Sequence, residues 1–233
     1  MVGLRMIIEL DNICFSYEKD KPVLNNLSFS LREGEKLGLI GYNGSGKTTL
    51  MHIIMGLLKP SSGIIRVLGK QIMTQKDFSE VRRTIGFLFQ NADDQLFSPT
   101  VLEDVAFGPL NLGHPPKEAR SMAADTLAML DLKGFEHRLT HTLSGGEKKL
   151  VSLATVLVMQ PRALLLDEPA AGLDEDARIK IQSILNDLNI SCVIVSHEYE
   201  FLSATTRNLL RMEAGRIETE REDPASKVTG PTN

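Results

Sequence analysis

Cysteine is scarce in this chain of 233 residues: there are two, Cys14 and Cys192. They stand far apart, each inside an apolar stretch, which excludes a disulfide framework or a thiolate metal clamp. Small buried thiols in a reducing compartment are the expectation. Positive charge is also short. Lys and Arg number 26 against 30 Asp and Glu, a net charge of −4, and no basic stripe marks a nucleic-acid surface. Long hydrophobic runs are missing. The start, MVGLRMIIEL, has no apolar block of signal-peptide length. The longest apolar stretch, LVSLATVLVM at 150–159, carries Ser152 and Thr155 and is too short to span a bilayer. A role at a membrane would therefore be played from the aqueous side, through partners. Internal repeats and low-complexity tracts are absent as well.

What is present is enough for a core. Apolar residues make up 42% of the chain and charged residues 24%, over a length that suits one medium domain or one domain with a sizeable insertion. MIIELDNICFSY at 6–17 and VLNNLSFSL at 23–31 read as strands. KLGLI at 36–40 reads as a short buried parallel strand. KTTLMHIIMGLL follows as a helix stopping before Pro60, and IIRVLGKQI at 64–72 as one outer strand. TIGFLF at 84–89, ALLLD at 163–167 and CVIVS at 192–196 read as further buried strands. Ala177, Ile181, Ile184, Leu185 and Leu188 recur at helical spacing between the last two. From about 91 to 160 the chain reads as mainly helical, an inserted helical subdomain whose loops are marked by Gly108-Pro109 and Pro115-Pro116. Residues 219–233 are almost wholly polar and read as a tail. Strands alternating with helices imply an α/β fold with a largely parallel sheet.

Gly41-Tyr42-Asn43-Gly44-Ser45-Gly46-Lys47-Thr48 fits G-x-x-x-x-G-K-[ST] at every fixed position, between a predicted strand and a predicted helix. Glycines let successive backbone N–H groups face one anion, and the helix N-terminus adds partial positive charge. Lys47 is placed to reach the β- and γ-phosphates of a nucleotide and Thr48 to hold Mg²⁺; Thr49, next in line, joins the nucleotide-binding set. ALLLDE supplies a second piece. Asp167 emerges at the carboxyl end of a central strand, where ligands bind in open sheets, and is placed to hold the Mg²⁺. Glu168 beside it is placed to polarise an attacking water. Kinases, GTPases, helicases and transport ATPases all remain open at this point.

A second glycine-rich cradle, LSGGEKK at 143–149, is not another P-loop: no apolar strand precedes it and no Lys-Thr or Lys-Ser pair follows its glycines. Ser144 and Glu147 stand three apart ahead of an apolar run, which makes a capping box for a helix over 145–159. Its company gives it a further meaning. Tyr17, the P-loop, Gln90 after TIGFLF, LSGGE, ALLLDEP, AGLD at 171–174 and His197 after CVIVS occur in this order. With these seven motifs, from about residue 6 to 218, the sequence resembles the nucleotide-binding subunits of ABC transporters.

The resemblance implies an ABC ATPase fold over 1–218: a P-loop NTPase core with a mainly parallel sheet, an antiparallel β edge subdomain and the helical insertion. It implies ATP and Mg²⁺ as ligands and a head-to-tail pair of ATPase chains, homo- or heterodimeric. ATP would lie between the P-loop of one chain and Ser144, Gly145 and Gly146 of the other. It implies Tyr17 stacked on adenine, Gln90 reaching the Mg²⁺ or the lytic water, and His197 orienting water and γ-phosphate. Asp174 would lie in a loop across the dimer interface while capping the helix that follows. Partners would be integral membrane transport subunits, with the chain peripheral on the cytoplasmic face of the cell membrane.

QNADDQLFSPTVLEDVAFGPLNLG at 90–113 is similar to the ATPases of energy-coupling-factor importers, above all those for cobalt and nickel; vitamin importers of the group look alike. The cargo never touches such an ATPase, and His52, His114, His137 and His141 form no metal cluster in the sequence. One departure stands out: Glu147 occupies a position where many family members have Gln. A carboxylate facing a triphosphate would repel it, unless Glu147 turns back to cap its own helix.

Overall fold

The computed structural model describes residues 5–219. The tail expected at 219–233 lies outside them, Thr219 apart. A four-stranded antiparallel sheet has the order β2-β1-β4-β5, built from β1 (Met6–Glu18), β2 (Lys21–Arg32), β4 (Ser62–Val67) and β5 (Lys70–Gln71). A six-stranded sheet has the order β10-β9-β3-β8-β7-β6, from β3 (Lys36–Ile40), β6 (Ile85–Leu88), β7 (Ala163–Asp167), β8 (Ser191–Val195), β9 (Asn208–Glu213) and β10 (Arg216–Thr219). All its neighbours pair in parallel except β10, which runs antiparallel on the edge.

Period-two alternation divides the parallel sheet between two cores. Leu165, Val193 and Val195 face a core shared with the antiparallel sheet and α1 (Lys47–Ile54). Leu164, Leu166 and Ile194 face a second core with α3 (Val101–Asn111), α4 (Pro116–Met129), α5 (Gly145–Leu157), α6 (Glu175–Asp187) and α7 (Tyr199–Thr205). Strands buried on both faces read as continuous apolar runs, which is how ALLLD and CVIVS look. The helices between β6 and β7 thus close over one face of the sheet rather than forming a core apart. Among the described residues, no helix is long and apolar enough to cross a membrane. Cys192 is buried as expected, and burial pushes its thiol up to about 12. Cys14 is only partly covered.

Three expectations need correction. The outer strand expected over 64–72 is a hairpin of β4 and β5, because Leu68 and Gly69 both take positive φ, 51° and 79°, the signature of a two-residue primed turn. The helix after the P-loop ends at Ile54. Gly56, at φ 69°, closes it by donating to Ile53, while Leu57 donates to His52 at 2.8 Å, a Schellman arrangement. Finally, α2 (Gln75–Thr84) precedes β6 and was not foreseen; Val81 is its one fully buried residue, so periodicity had nothing to read. Its signal was the capping box, Thr74 with Asp77.

Leu165 is fully buried in the middle of β7. Leu165→Ala is expected to lower stability by about 2–5 kcal/mol, read as a lower urea midpoint with unchanged slope; a midpoint within error of the parent chain contradicts this packing.

Candidate functional site

Parallel register brings four strand ends to one edge. β3 runs into the P-loop, β6 into Phe89 and Gln90, β7 into Asp167 and Glu168, and β8 into Ser196 and His197. Gly46, the residue before α1, sits at φ 107°, which favours glycine. A Cβ on Gly41 would collide with the carbonyl of Met212 in β9. Lys47, 6% exposed, donates from Nζ to the carbonyls of Gly41 at 2.7 Å and Tyr42 at 3.0 Å. Burial pulls its ammonium below the usual lysine range, against the opposing charges of Glu168 and Asp167. Tyr42, Asn43 and Gly44 are exposed along the loop, and the Ser45 hydroxyl is buried without a partner among the described residues.

Thr48 Oγ1 donates to Asp167 Oδ2 at 2.7 Å. Asp167 is 2% exposed, and its other oxygen, Oδ1, is buried with no partner among the described residues. Burial drives its pKa up; the Thr48 hydroxyl opposes this. A hydroxyl, a carboxylate oxygen and an orphaned oxygen at the mouth of a phosphate cradle are the donor set of a hard divalent cation. The residues present fit Mg²⁺.

Glu168 is 6% exposed and takes φ 47°, a left-handed conformation that costs a non-glycine residue about 1–2 kcal/mol. Its N–H donates to Val195 at 3.0 Å, and His197 Nδ1 lies 3.0 and 3.1 Å from its two carboxylate oxygens. In the tautomer with the proton on Nδ1, the imidazole donates to Glu168. His197 is thus in contact with Glu168 itself, a pairing the sequence does not announce. Tyr17 is 62% exposed, its ring edge-on to Phe15, with its hydroxyl 3.1 Å from that of Thr49.

Gln90 lies in the exposed loop after β6. Its backbone is held by a residue that sequence reasoning missed. Lys149, 3% exposed on α5, donates to the carbonyls of Gln90 at 2.6 Å and Phe89 at 3.1 Å. Gln95 was missed too: its Oε1 accepts from Phe89 N at 3.1 Å, and its Nε2 donates to Ser152 O and Thr155 Oγ1, both at 2.8 Å. Neither carries a local signal: Gln95 follows Asp93 and Asp94, and Lys149 follows Glu147 and Lys148, so both read as polar residues among polar neighbours.

The second cradle opens elsewhere. Ser144 and Gly145 are exposed and Gly146 partly so, at the start of α5. No hydrogen bond joins them to the P-loop among the described residues. The capping box is formed: Glu147 N donates to Ser144 Oγ at 3.3 Å, and Ser144 N to Glu147 Oε2 at 2.8 Å. Glu147 turns back as expected. It also receives a two-pronged ion pair from Arg138, at 2.6 and 3.2 Å, which with the Ser144 N–H holds its carboxyl below the usual range. Asp174 caps α6 through Ala177 N at 2.9 Å.

The comparisons agree with this geometry. A family model described as ABC transporter matches residues 24–171. An energy-coupling factor transporter ATP-binding protein, EcfA, of Methanocaldococcus jannaschii is 41% identical over 215 residues, 91% of this chain and 77% of the relative. Among solved structures, CbiO1 from Clostridium perfringens, part of the ABC transporter complex CbiONQ, superposes with a TM-score of 0.83 at 35% identity, covering 92% of this chain and 87% of that one. A dimeric post-hydrolysis state of the ATP-binding cassette MJ0796, bound to ADP and Pi, superposes with a TM-score of 0.82 at 26% identity, covering 92% and 99%.

Gln95→Ala leaves the Phe89 amide without its partner and removes one donor from the Ser152 carbonyl and the Thr155 hydroxyl, which keep the hydrogen bond between them. The expected loss is about 1–3 kcal/mol in urea unfolding, with faster amide exchange at Phe89; unchanged exchange there contradicts the clamp.

Proposed function

This chain belongs to the ABC transporter family as an ATP-binding, ATP-hydrolysing transporter subunit, and from that premise we propose that it energises an energy-coupling-factor importer with cobalt or nickel ions as cargo. The observation that carries the family's chemistry onto this chain is the convergence of the P-loop, Thr48–Asp167 and Glu168–His197 on one sheet edge. The choice of importer is supported by the similarity to EcfA and by the stretch at 90–113. That stretch leaves an apolar patch open: Phe97 is 66% and Phe107 44% exposed, packed edge to face at 4.7 Å. An exposed patch of this kind suits a membrane-protein partner, with the chain held peripherally at the cytoplasmic face.

Tyr17, next to Thr49, offers its exposed ring to the adenine. Gly41 to Gly46 present backbone N–H groups to the phosphates, and Lys47 exchanges its loop carbonyls for phosphate oxygens. Thr48, Asp167 and Gln90 would hold Mg²⁺, which would supply positive charge against the negative charge of the triphosphate. Glu168 accepts the proton of the attacking water, its carboxylate aimed by a strained backbone and by His197. A buried carboxylate at a stressed φ is the kind of group that surrounding structure fixes for a task. The remaining face of the γ-phosphate belongs to Ser144, Gly145 and Gly146 of a second chain, since no hydrogen bond among the described residues joins the two cradles within one chain. Arg138 neutralises Glu147, so the second cradle can approach a triphosphate.

Glu168→Gln keeps the shape and removes the base. It is expected to retain ATP binding, to lower hydrolysis by about 10²–10⁴-fold and to accumulate an ATP-bound dimer. In cells relying on this variant, uptake of radioactive cobalt or nickel is expected to fall to background. Normal turnover sinks the assignment of Glu168, and intact ion uptake with loss of vitamin uptake sinks the choice of cargo. Ser144→Arg is expected to spare ATP binding by isolated chains and to abolish ATP-dependent dimers, followed by light scattering. Persistent dimers rule out the two-chain site.

A further inference from the structure

Lysine is almost never fully buried without a reason, and Lys149 is 3% exposed. Desolvation pulls its ammonium down to about 8, and only the charges of Asp167 and Glu168 oppose that. Its place is paid for by geometry. Register pairing between β6 and β7 ends at Leu88 and Leu166, so the next two carbonyls, of Phe89 and Gln90, leave the ladder. Lys149 supplies the donor for both, at 3.1 and 2.6 Å. Its neighbour Lys148 differs: it reaches outward to Asp93 at 2.6 Å, a surface pair.

We propose that Lys149 is a positioning residue for ATP hydrolysis: by gripping the Phe89 and Gln90 carbonyls from inside the protein, it fixes where the Gln90 side chain stands at the nucleotide. The proposal rests on the reading of Gln90 as a group that acts at the γ-phosphate and its cation. A side chain on an exposed loop is only as well placed as the backbone beneath it. Misplacement by about 1 Å costs up to 10²-fold in rate. The grip also comes from α5, five residues beyond Ser144, so one helix carries the second cradle and sets the position of Gln90.

The test is ATPase kinetics on the full chain with Mg²⁺-ATP. Lys149→Met fills the space and donates nothing; kcat is expected to fall roughly 10- to 100-fold with KM for ATP within about twofold. Lys149→Gln, which keeps an N–H donor, recovers part of the rate, and Lys148→Met changes nothing. Gln90→Ala also lowers kcat, and Gln90→Ala with Lys149→Met is no slower than Gln90→Ala alone, because Lys149 acts through Gln90. In nucleotide-free protein, amide exchange over 89–92 speeds up in Lys149→Met and not in Gln90→Ala. Losses that multiply in the double variant overturn the proposal, as does a wild-type kcat for Lys149→Met beside an impaired Gln90→Ala. A wild-type kcat for Gln90→Ala instead brings down the reading of Gln90, and this proposal with it. If circular dichroism shows Lys149→Met unfolded, Lys149→Gln carries the same double-variant comparison.

Discussion

The hydrogen bond from Thr48 to Asp167, 2.7 Å across two strands of one sheet, is the contact on which the site depends. It joins the first turn of α1, the helix that follows β3, to the end of β7, with β8 lying between β3 and β7 in the order of the sheet. It can form only if β3, β8 and β7 run parallel in the observed register, Leu39 beside Val195 and Asp167 beside Val195. A shift of one residue would turn Asp167 to the other face and carry Leu164 and Leu166 out of their core. The apolar packing on both faces of the sheet is therefore what holds a desolvated carboxylate beside a phosphate cradle.

Much of this was legible because the signals were local. Gly41 to Thr48 announce their conformation through glycine and their chemistry through Lys47. ALLLD announces a strand buried on both sides with an acid at its end. Ser144 and Glu147 announced their capping box, and the box forms. What stayed hidden lacked a local signature. α2 buries little, β5 is two residues long, and β9 reaches its place beside β3 only through tertiary pairing. In the site, a lysine in a helical run looks like any solvated lysine until the fold puts the strand ends of β6 over it. Arg138 is nine residues from Glu147 and gives no periodic hint of a pair.

Glu147 shows how a departure from a family pattern is absorbed. A carboxylate at that position would oppose an anion, and a helix N-terminus alone offsets it only in part. Here one oxygen receives the Ser144 N–H, and both are forked by Arg138, which is itself seated 4.3 Å over the Phe135 ring. The charge is spent on holding the cradle's shape. An Arg fork does this better than a lysine would, since its two donors fix the carboxylate's plane as well as its charge.

The two cradles also explain each other. The P-loop is closed on one side by β9 and by its own lysine, with Tyr42, Asn43 and Gly44 exposed on the other. The Ser144 cradle is exposed and finished, capped and charge-balanced, yet joined by no hydrogen bond to the P-loop among the described residues. Gly146 has a packing reason, since a Cβ there would meet the Ala177 Cβ at 2.8 Å, but Gly145 is exposed with nothing beside it, and a helix start that serves packing alone does not need it, because glycine in the first turn weakens a helix. The cost is understandable if backbone N–H groups must come close to a ligand, and in the proposed reading that ligand is the triphosphate on a second chain. Through Lys149 the same helix would then set the Gln90 loop of its own site, so each copy would adjust one nucleotide from within and the other from across the interface.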